Sequence, residues 1–369
     1  MRETVVVFGA TSYVGSHAAR RLIAGGYRVV GVSRGRASVR VLLGDLDPEH
    51  FLAVRAEELD AALDGRAAAV VNFAFVKDFD DPQRLHRQNR ALLDAVGAAA
   101  EKASRLIQIS TQAVFGFVFD SEPRPVRVRR PPADLYGETK LRAEHMSEQI
   151  GKRLDGELAI VRLGNVIGPG SPLFVANLAQ QMLEARPLGY EDGDGASNAT
   201  DVENIADYVA HLVAAPPGAL PDFGTYHHLA EFSAHPWPEL LDEISAEIGL
   251  PWLRTPRPGP AEASDVPVLK RAVKKVYLTE TGGRLARTAV GLLPERFEQM
   301  SERLRAPQPP GLLRPAGAEP STGPIDVLSN PHQFRSHLVA GWQPPVEFEA
   351  SMAGIRRWLA DNGYVFEPS

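Results

Sequence analysis

The run Val5-Val6-Val7-Phe8 stops at a glycine and passes through Gly9-Ala10-Thr11-Ser12-Tyr13-Val14-Gly15 into a helical pattern. A buried strand that turns through glycine into a helix aims bare backbone amides and a positive helix end at one point, which suits the pyrophosphate of a dinucleotide. Gly9 permits the tight turn, and Gly15 lets helix and strand approach. Ser12 stands where such turns carry a middle glycine; its amide remains available, but its side chain narrows the approach. A glycine pair after a strand can be purely structural, and its place at the first strand of a βαβ series favours binding. Gly9, Thr11, Ser12, Tyr13, Val14 and Gly15 are therefore candidate cofactor contacts.

The rest of the first half repeats the pattern. Short β-branched runs near 4–8, 28–32, 39–43, 68–74, 105–110 and 158–163 read as strands, and helical periodicity fills 13–25, 48–63, 83–102 and 137–153. Right-handed crossovers then build an α/β, doubly wound parallel sheet whose ligands sit at the carboxyl ends of the strands. Beyond about 165 the order loosens: helices near 172–185, 202–214 and 237–248 and a strand near 225–229. The expected division is a dinucleotide-binding core over 1–165, with return elements about 200–230, and a smaller C-terminal substrate lid from 166–200 and 231–369. Residues 306–324, dense in proline and glycine, read as a loop.

Composition narrows the chemistry. A formal charge of −6 over 369 residues gives no basic field for nucleic acid. With no cysteine there is no disulfide, no thiolate nucleophile and no cysteine-ligated zinc, and none of the 10 histidines shows metal-ligand spacing; His227 and His228, adjacent on a strand, point to opposite faces. No apolar run is long enough to cross a bilayer and no charged leader precedes the first strand, so the expectation is a cytoplasmic protein acting on a small molecule, without membrane or nucleic-acid partners.

Past the second strand a carboxylate would accept hydrogen bonds from a ribose 2′-hydroxyl. Here stand Ser33, Arg34, Gly35 and Arg36. Hydroxyl and guanidinium suit a 2′-phosphate, so NADP is expected, with NAD possible and solvated loop arginines as the alternative.

Tyr136-Gly137-Glu138-Thr139-Lys140 places a phenol and an ammonium one helical turn apart on one face, where the cation can stabilise a phenolate. Upstream, Ile109-Ser110-Thr111-Gln112-Ala113-Val114-Phe115-Gly116 ends an apolar strand and puts a hydroxyl within reach of a substrate oxygen. With the glycine turn, this order resembles the extended short-chain dehydrogenase/reductase group, the NAD-dependent epimerase/dehydratase family, whose fold is Rossmann-type. Ser110-Thr111 with Val114-Phe115-Gly116 looks like its S-S/T-x-x-V-Y-G, Phe115 replacing the usual tyrosine. Gly44-Asp45-Leu46 is similar to the element that contacts the adenine. Asn72-Phe73-Ala74-Phe75-Val76-Lys77 is similar to the segment lining the nicotinamide, and Asn89 falls where the family places an asparagine. Arg162 to Gly170 resembles the R-x-x-N-V-x-G-P-G run, and Gly341-Trp342-Gln343-Pro344 the G-W-x-P ending. The resemblance implies catalytic roles for Tyr136, Lys140 and Thr111. It implies cofactor contacts from Asp45, Leu46, Phe73, Ala74, Lys77, Asn89 and Lys140, and substrate contacts from Asn165 and Gln112. It also implies a homodimer through the helices near 83–102 and 137–153, whose outer faces should be apolar.

Gln112 and Ala113 occupy positions where family dehydratases and decarboxylases carry acids, which leaves net reduction or epimerisation. Ser33 and Arg34 tip the expectation toward an NADPH-dependent keto-sugar reductase. The alternatives are a nucleotide-sugar epimerase holding NAD, a dehydrogenase of sterol-like alcohols and, remotely, a non-catalytic dinucleotide sensor. Ser197 to Asn204 lacks the arginine that nucleotide-sugar enzymes place before the lid helix. The basic stretch 270–287 reads as a solvated helix face, a diphosphate grip or a membrane-surface helix.

Overall fold

The computed structural model describes residues 2–33, 43–63, 65–116, 134–191, 194–216, 218, 225–257, 326–339 and 341–366. The basic stretch 270–287, the proline-rich loop 306–324 and Arg34 lie outside the described residues. Strands are β1 (Thr4–Phe8), β2 (Arg28–Val32), β3 (Phe51–Val54), β4 (Ala69–Asn72), β5 (Arg105–Thr111), β6 (Glu157–Leu163) and β10 (Tyr226–Leu229), forming one parallel sheet in the order β10-β6-β5-β4-β1-β2-β3. Outside it, β7 (Asn165–Ile167) pairs with β9 (Ala199–Asp201), and β8 (Pro187–Tyr190) with β11 (Leu253–Thr255). The strand order reverses between β1 and β4, and the crevice beyond their carboxyl ends is where such sheets bind ligands.

Helices cover both faces, and several start where the sequence supplies a side-chain cap. In α1 (Tyr13–Ala24) Ser12 accepts from the Gly15 amide at 3.0 Å. In α2 (Pro82–Ala100) Asp81 accepts from Gln83 and Arg84, each at 3.0 Å, with Pro82 preset for the first turn. In α3 (Leu135–Gly151) Asp134 accepts from Gly137 at 2.8 Å. α1 packs with α5 (Val202–Ala214) on one face and α2 with α3 on the other. Val5, Val7, Val29, Val71, Ile107 and Val161 lie fully buried between sheet and helices. Each such side chain contributes ~1.5–3 kcal/mol by leaving water.

A second apolar core, with Ile167, Leu178, Trp237, Leu240, Ile244 and Ile355 among its members, joins α4 (Asn177–Leu183), α6 (Trp237–Ile248) and α7 (Phe348–Asp361). A strap before α7 ties it to the sheet. His337 and His228 exchange backbone hydrogen bonds of 2.8 Å at the β10 edge, Trp342 donates to Asp207 at 2.9 Å, and Asn204 holds the Val346 backbone on both sides.

Two expectations are corrected. The helix read over 48–63 begins as β3: Phe51 to Val54 pair with Val29 to Val32 because β2 has an open edge, and only Ala56–Glu58 and Leu59–Ala62 turn helically. Helical propensity in Ala-Glu-Glu-Leu-Asp-Ala-Ala was outweighed by sheet pairing at its start. Of the strand expected at 39–43, only Leu43 is described, and it lies in a bend. The outer faces of α2 and α3 are also not apolar. Arg84, Arg87, Arg90, Arg142 and His145 are exposed there, so the surface offers charge rather than the apolar seam of a four-helix interface.

Candidate active site

The glycine turn and the end of β4 meet in close contact. Gly9 has φ +76°, and a Cβ on it would lie 2.7 Å from the Ala74 nitrogen; one on Gly15 would lie 2.2 Å from the Gly9 carbonyl oxygen. Only bare backbone fits at both. Ala74 donates to Asn72 Oδ1 at 3.0 Å, and buried Phe73 donates its amide to the Phe8 carbonyl at 2.9 Å, so β1 and β4 end as one unit. The amides of Thr11, Tyr13 and Val14 have no protein acceptor among the described residues, whereas that of Gly15 is taken by Ser12. Three free donors at a helix start make an anion cradle that fits a pyrophosphate. Val14 packs on the core, and Tyr13 reaches the segment after β7, its hydroxyl donating to the Pro169 carbonyl at 3.0 Å.

Other expected cofactor residues are placed with mixed results. Ser33 follows β2 directly, its amide bonded to the Val54 carbonyl at 3.0 Å, so it stands at the crevice edge. Leu46 packs on the core, while exposed Asp45 is held by both terminal nitrogens of Arg20, at 2.6 and 2.8 Å. Lys77 is exposed beside the site. Asn89 is spent internally: its amide group accepts from the Val76 amide at 3.0 Å and donates to the Val76 and Leu85 carbonyls. It shapes the segment after β4 and has no donor left for a ligand.

Thr111, Tyr136 and Lys140 come together where β5 ends and α3 begins. Thr111 Oγ1 caps the turn Gln112–Phe115 by accepting from Ala113 at 3.2 Å, and its side chain hydrogen-bonds the Tyr136 phenol. Burial pushes that phenol up to about 12, with the Thr111 bond pulling the other way. Burial pulls Lys140 down to about 8, and the Lys77 charge adds to the fall while Glu144 opposes it. Desolvation penalises both charged forms: it holds the phenol protonated at neutral pH and brings the ammonium's proton affinity down toward neutrality. Lys140 Nζ donates to the Ile109 carbonyl at 3.3 Å.

Sequence reasoning missed what surrounds the pair. Phe75 meets the Tyr136 ring edge-on at 5.4 Å and Phe79 does so at 6.5 Å. Beneath, Glu144 lies two turns from Tyr136 on the same face of α3, receiving Arg162 Nε at 2.9 Å, Arg162 Nη2 at 2.7 Å and the Ser110 hydroxyl at 2.5 Å. A Y-x-x-x-K-x-x-x-E spacing carries that signal.

Gln112 is buried beside Thr111, and neither polar atom of its amide has a partner among the described residues. Asn165 donates to the Ser197 carbonyl at 2.6 Å, which commits its nitrogen to the fold. The stretch after it is structural: Asn198 holds the strap at His332 and Phe334, and Glu231 gathers Thr200, the Asp201 amide and Asn204 at 2.7–2.8 Å. Among the described residues, Arg254 lies over the Trp252 ring at 4.4 Å and Arg257 over the Tyr190 ring at 4.3 Å, beside the β8–β11 pair. On α4, Asn177 Nδ2 and Gln181 Oε1 are buried without partners among the described residues, one turn apart.

A family model described as "NAD dependent epimerase/dehydratase family" matches residues 5–221, more than half of the chain. The chain belongs to this family. Among curated proteins it is 33% identical over 183 residues to a probable UDP-arabinose 4-epimerase 3 of Arabidopsis thaliana, covering 44% of each protein. It is 34% identical over 105 residues to the dTDP-L-rhamnose 4-epimerase of Burkholderia thailandensis, covering 26% of this chain and 29% of that one. The matches thus span less than half the length of these relatives. Among solved structures, the Bordetella bronchiseptica enzyme WbmG in complex with NAD and UDP is similar at TM-score 0.62 and 16% identity, over 99% of this chain and 97% of that one. UDP-glucuronic acid 4-epimerase from Bacillus cereus is similar at TM-score 0.55 and 19% identity, over 68% and 85%. These establish the extended short-chain dehydrogenase fold, a Rossmann-type parallel sheet. No helix among the described residues is long and apolar enough to cross a membrane.

Proposed function

We propose that the protein is a nucleotide-sugar epimerase of the 4-epimerase kind that keeps an NAD(P)-type dinucleotide through its cycle, the core over 1–165 holding the dinucleotide and the lid the sugar nucleotide. The observation that carries this reading is the chemistry beside Thr111: a single phenol–ammonium pair, with buried, uncharged Gln112 and Ala113 where a second acid/base would stand. An epimerisation returns the substrate to its starting oxidation state, so one residue can take a proton and give it back. The curated 4-epimerases that are 33% and 34% identical to this chain over 183 and 105 aligned residues support the same choice over net reduction.

Thr111 and Tyr136 would share the reacting hydroxyl, with Tyr136 taking its proton and Lys140 stabilising the phenolate and binding the nicotinamide ribose. The dinucleotide supplies a ring that reversibly accepts hydrogen from the same carbon. The free amides of Thr11, Tyr13 and Val14 would bind the pyrophosphate, with Asp45, Leu46, Phe73, Ala74 and Lys77 along the crevice. Gln112 and the free oxygen of Asn165 would orient the sugar. Arg254 and Arg257 would replace the arginine absent from 197–204, and Asn177 and Gln181 would supply further polar contacts. Net reduction with NADPH is the second reading, favoured by Ser33, a hydroxyl at the tip of β2 where NAD enzymes place a carboxylate.

Proton NMR of the protein mixed with UDP-arabinose, UDP-glucuronic acid or dTDP-L-rhamnose decides between them. Interconversion of 4-epimers without net dinucleotide consumption is expected, and Tyr136→Phe should slow it by ~10²–10⁴ while dinucleotide affinity stays unchanged. Stoichiometric NADPH oxidation would replace the epimerase with the reductase. Wild-type turnover in Tyr136→Phe would remove Tyr136 from the mechanism.

A further inference from the structure

Lys140 is buried, and its ammonium must remain charged to hold a phenolate. Its visible hydrogen-bond partner is the neutral Ile109 carbonyl. Among the described residues, the groups facing it from each packed element do not supply a full counter-charge. From the segment after β4, the Lys77 charge repels it. On α3, Glu144 attracts it, but that carboxylate is already bound through both oxygens to Arg162 of β6 and receives Ser110 of β5. On α2, His86 meets Thr139 at 3.4 Å, and burial keeps its ring toward the neutral form. What does lie against the ammonium is the face of Phe75, with Nζ 4.8 Å from the ring centroid. The same ring meets Tyr136 at 86°, centroids 5.4 Å apart. One phenyl group therefore touches both members of the pair, offering its negative face to the cation.

We propose that Phe75 is a positioning residue for the acid/base pair: its face holds Lys140 cationic where no described residue offers a free carboxylate, and its contact with Tyr136 sets the phenol ring against that cation. The idea rests on reading Tyr136 and Lys140 as the acid/base pair, but its test does not depend on turnover. The pH midpoint of Lys140 in the whole protein is read by competitive labelling with acetic anhydride and mass spectrometry. Phe75→Leu and Phe75→Met keep an apolar side chain and remove the ring face; both should lower the midpoint by about 0.5–1.5 pH units. Phe75→Tyr keeps the face and should leave it at the wild-type value. In the active enzyme, the alkaline limb of kcat should move down with the Leu and Met variants and return with Tyr. A merely space-filling Phe75 would lower stability in Leu and Met without moving either midpoint, and that result overturns the proposal, as does a Tyr variant shifted as far as Leu. Should one aliphatic variant fail to fold, the other gives the reading. A protein that epimerises no sugar would still report the Lys140 midpoint, so failure of the function and failure of this inference are separate outcomes.

Discussion

Arg162 on β6 has two in-register neighbours across the sheet, Ser110 of β5 on one side and His228 of β10 on the other. The two sides handle buried polar groups in opposite ways. Toward β5, beneath the candidate active site, charge is kept and satisfied: Glu144 and Arg162 are almost wholly buried and bonded through both carboxylate oxygens. Toward β10, at the sheet edge covered by the strap, charge is refused. Burial, helped by Arg162 and His337, holds His228 down to about 3, and burial holds His227 down to about 4. His228 Nδ1 and His227 Nε2 find no partner among the described residues. Ions inside a protein are tolerable when paired, and groups that can discard their charge do so. The paired side sits where rigidity under Tyr136 and Lys140 matters; the neutral side belongs to packing.

The comparison breaks most visibly at Glu144. Glu144→Ala leaves Arg162 buried without its partner, and a loss of ~3–5 kcal/mol in unfolding free energy is expected from chemical denaturation. Replacing both partners with apolar residues, Glu144→Leu with Arg162→Met, should recover much of it. A single variant within about 1 kcal/mol of wild type would show that water reaches the pair, and the contrast with β10 would lose its basis.

A smaller effect is expected on the histidine side, and it depends on pH. The folded proton affinities of His227 and His228 lie below the ordinary value of 6.5, so the unfolded chain binds more protons as pH falls. Stability is therefore full above about pH 6.5 and falls below it, until about pH 4 for His227 and about 3 for His228. Each histidine contributes a slope of about 1.4 kcal/mol per pH unit in that window. His228→Gln should flatten the wild-type decline between pH 6 and 4 by the share of one histidine, seen as a shallower fall of Tm. An unchanged slope would mean that His228 is charged in the fold.

Much of this arrangement was legible in the sequence because its determinants are local. Strand–glycine–helix spacing located the turn between β1 and α1, one-turn spacing put Tyr136 and Lys140 on one face, and strand alternation sent His227 toward Tyr208 and His228 toward Arg162, on opposite sides of the sheet. What escaped depends on pairs distant in the chain. Phe51 to Val54 became a strand only because β2 offers an edge, and Asn89 turned inward because Val76 needed both of its hydrogen bonds. The contacts of Phe75 with Tyr136 and Lys140 span some sixty residues that no periodicity links. In 197–204 the missing arginine was visible, but not that Asn198, Asp201 and Asn204 serve the strap and α7.

The smallest effect sharpens the contrast at a third polar site, where a side chain serves the fold at the edge of the ligand crevice. Ser12 occupies the middle position of the glycine turn, and its hydroxyl oxygen accepts from the Gly15 amide at 3.0 Å, capping α1. Ser12→Ala removes the cap and should cost about 1 kcal/mol, whereas glycine at an N-cap loses only a few tenths, because water can reach the amide it frees. The ligand should rank the two variants the same way for a different reason. Ser12→Gly frees the Gly15 amide and opens the approach to Thr11, Tyr13 and Val14, so dinucleotide affinity, followed by tryptophan fluorescence quenching, should hold or improve. Ser12→Ala frees the amide but keeps a Cβ in the approach, and its affinity should not exceed that of the glycine variant. If Ser12→Gly instead weakened dinucleotide binding while melting at the wild-type temperature, the hydroxyl would be a ligand contact rather than a helix cap, and Ser12 would belong with the ligand groups of the crevice.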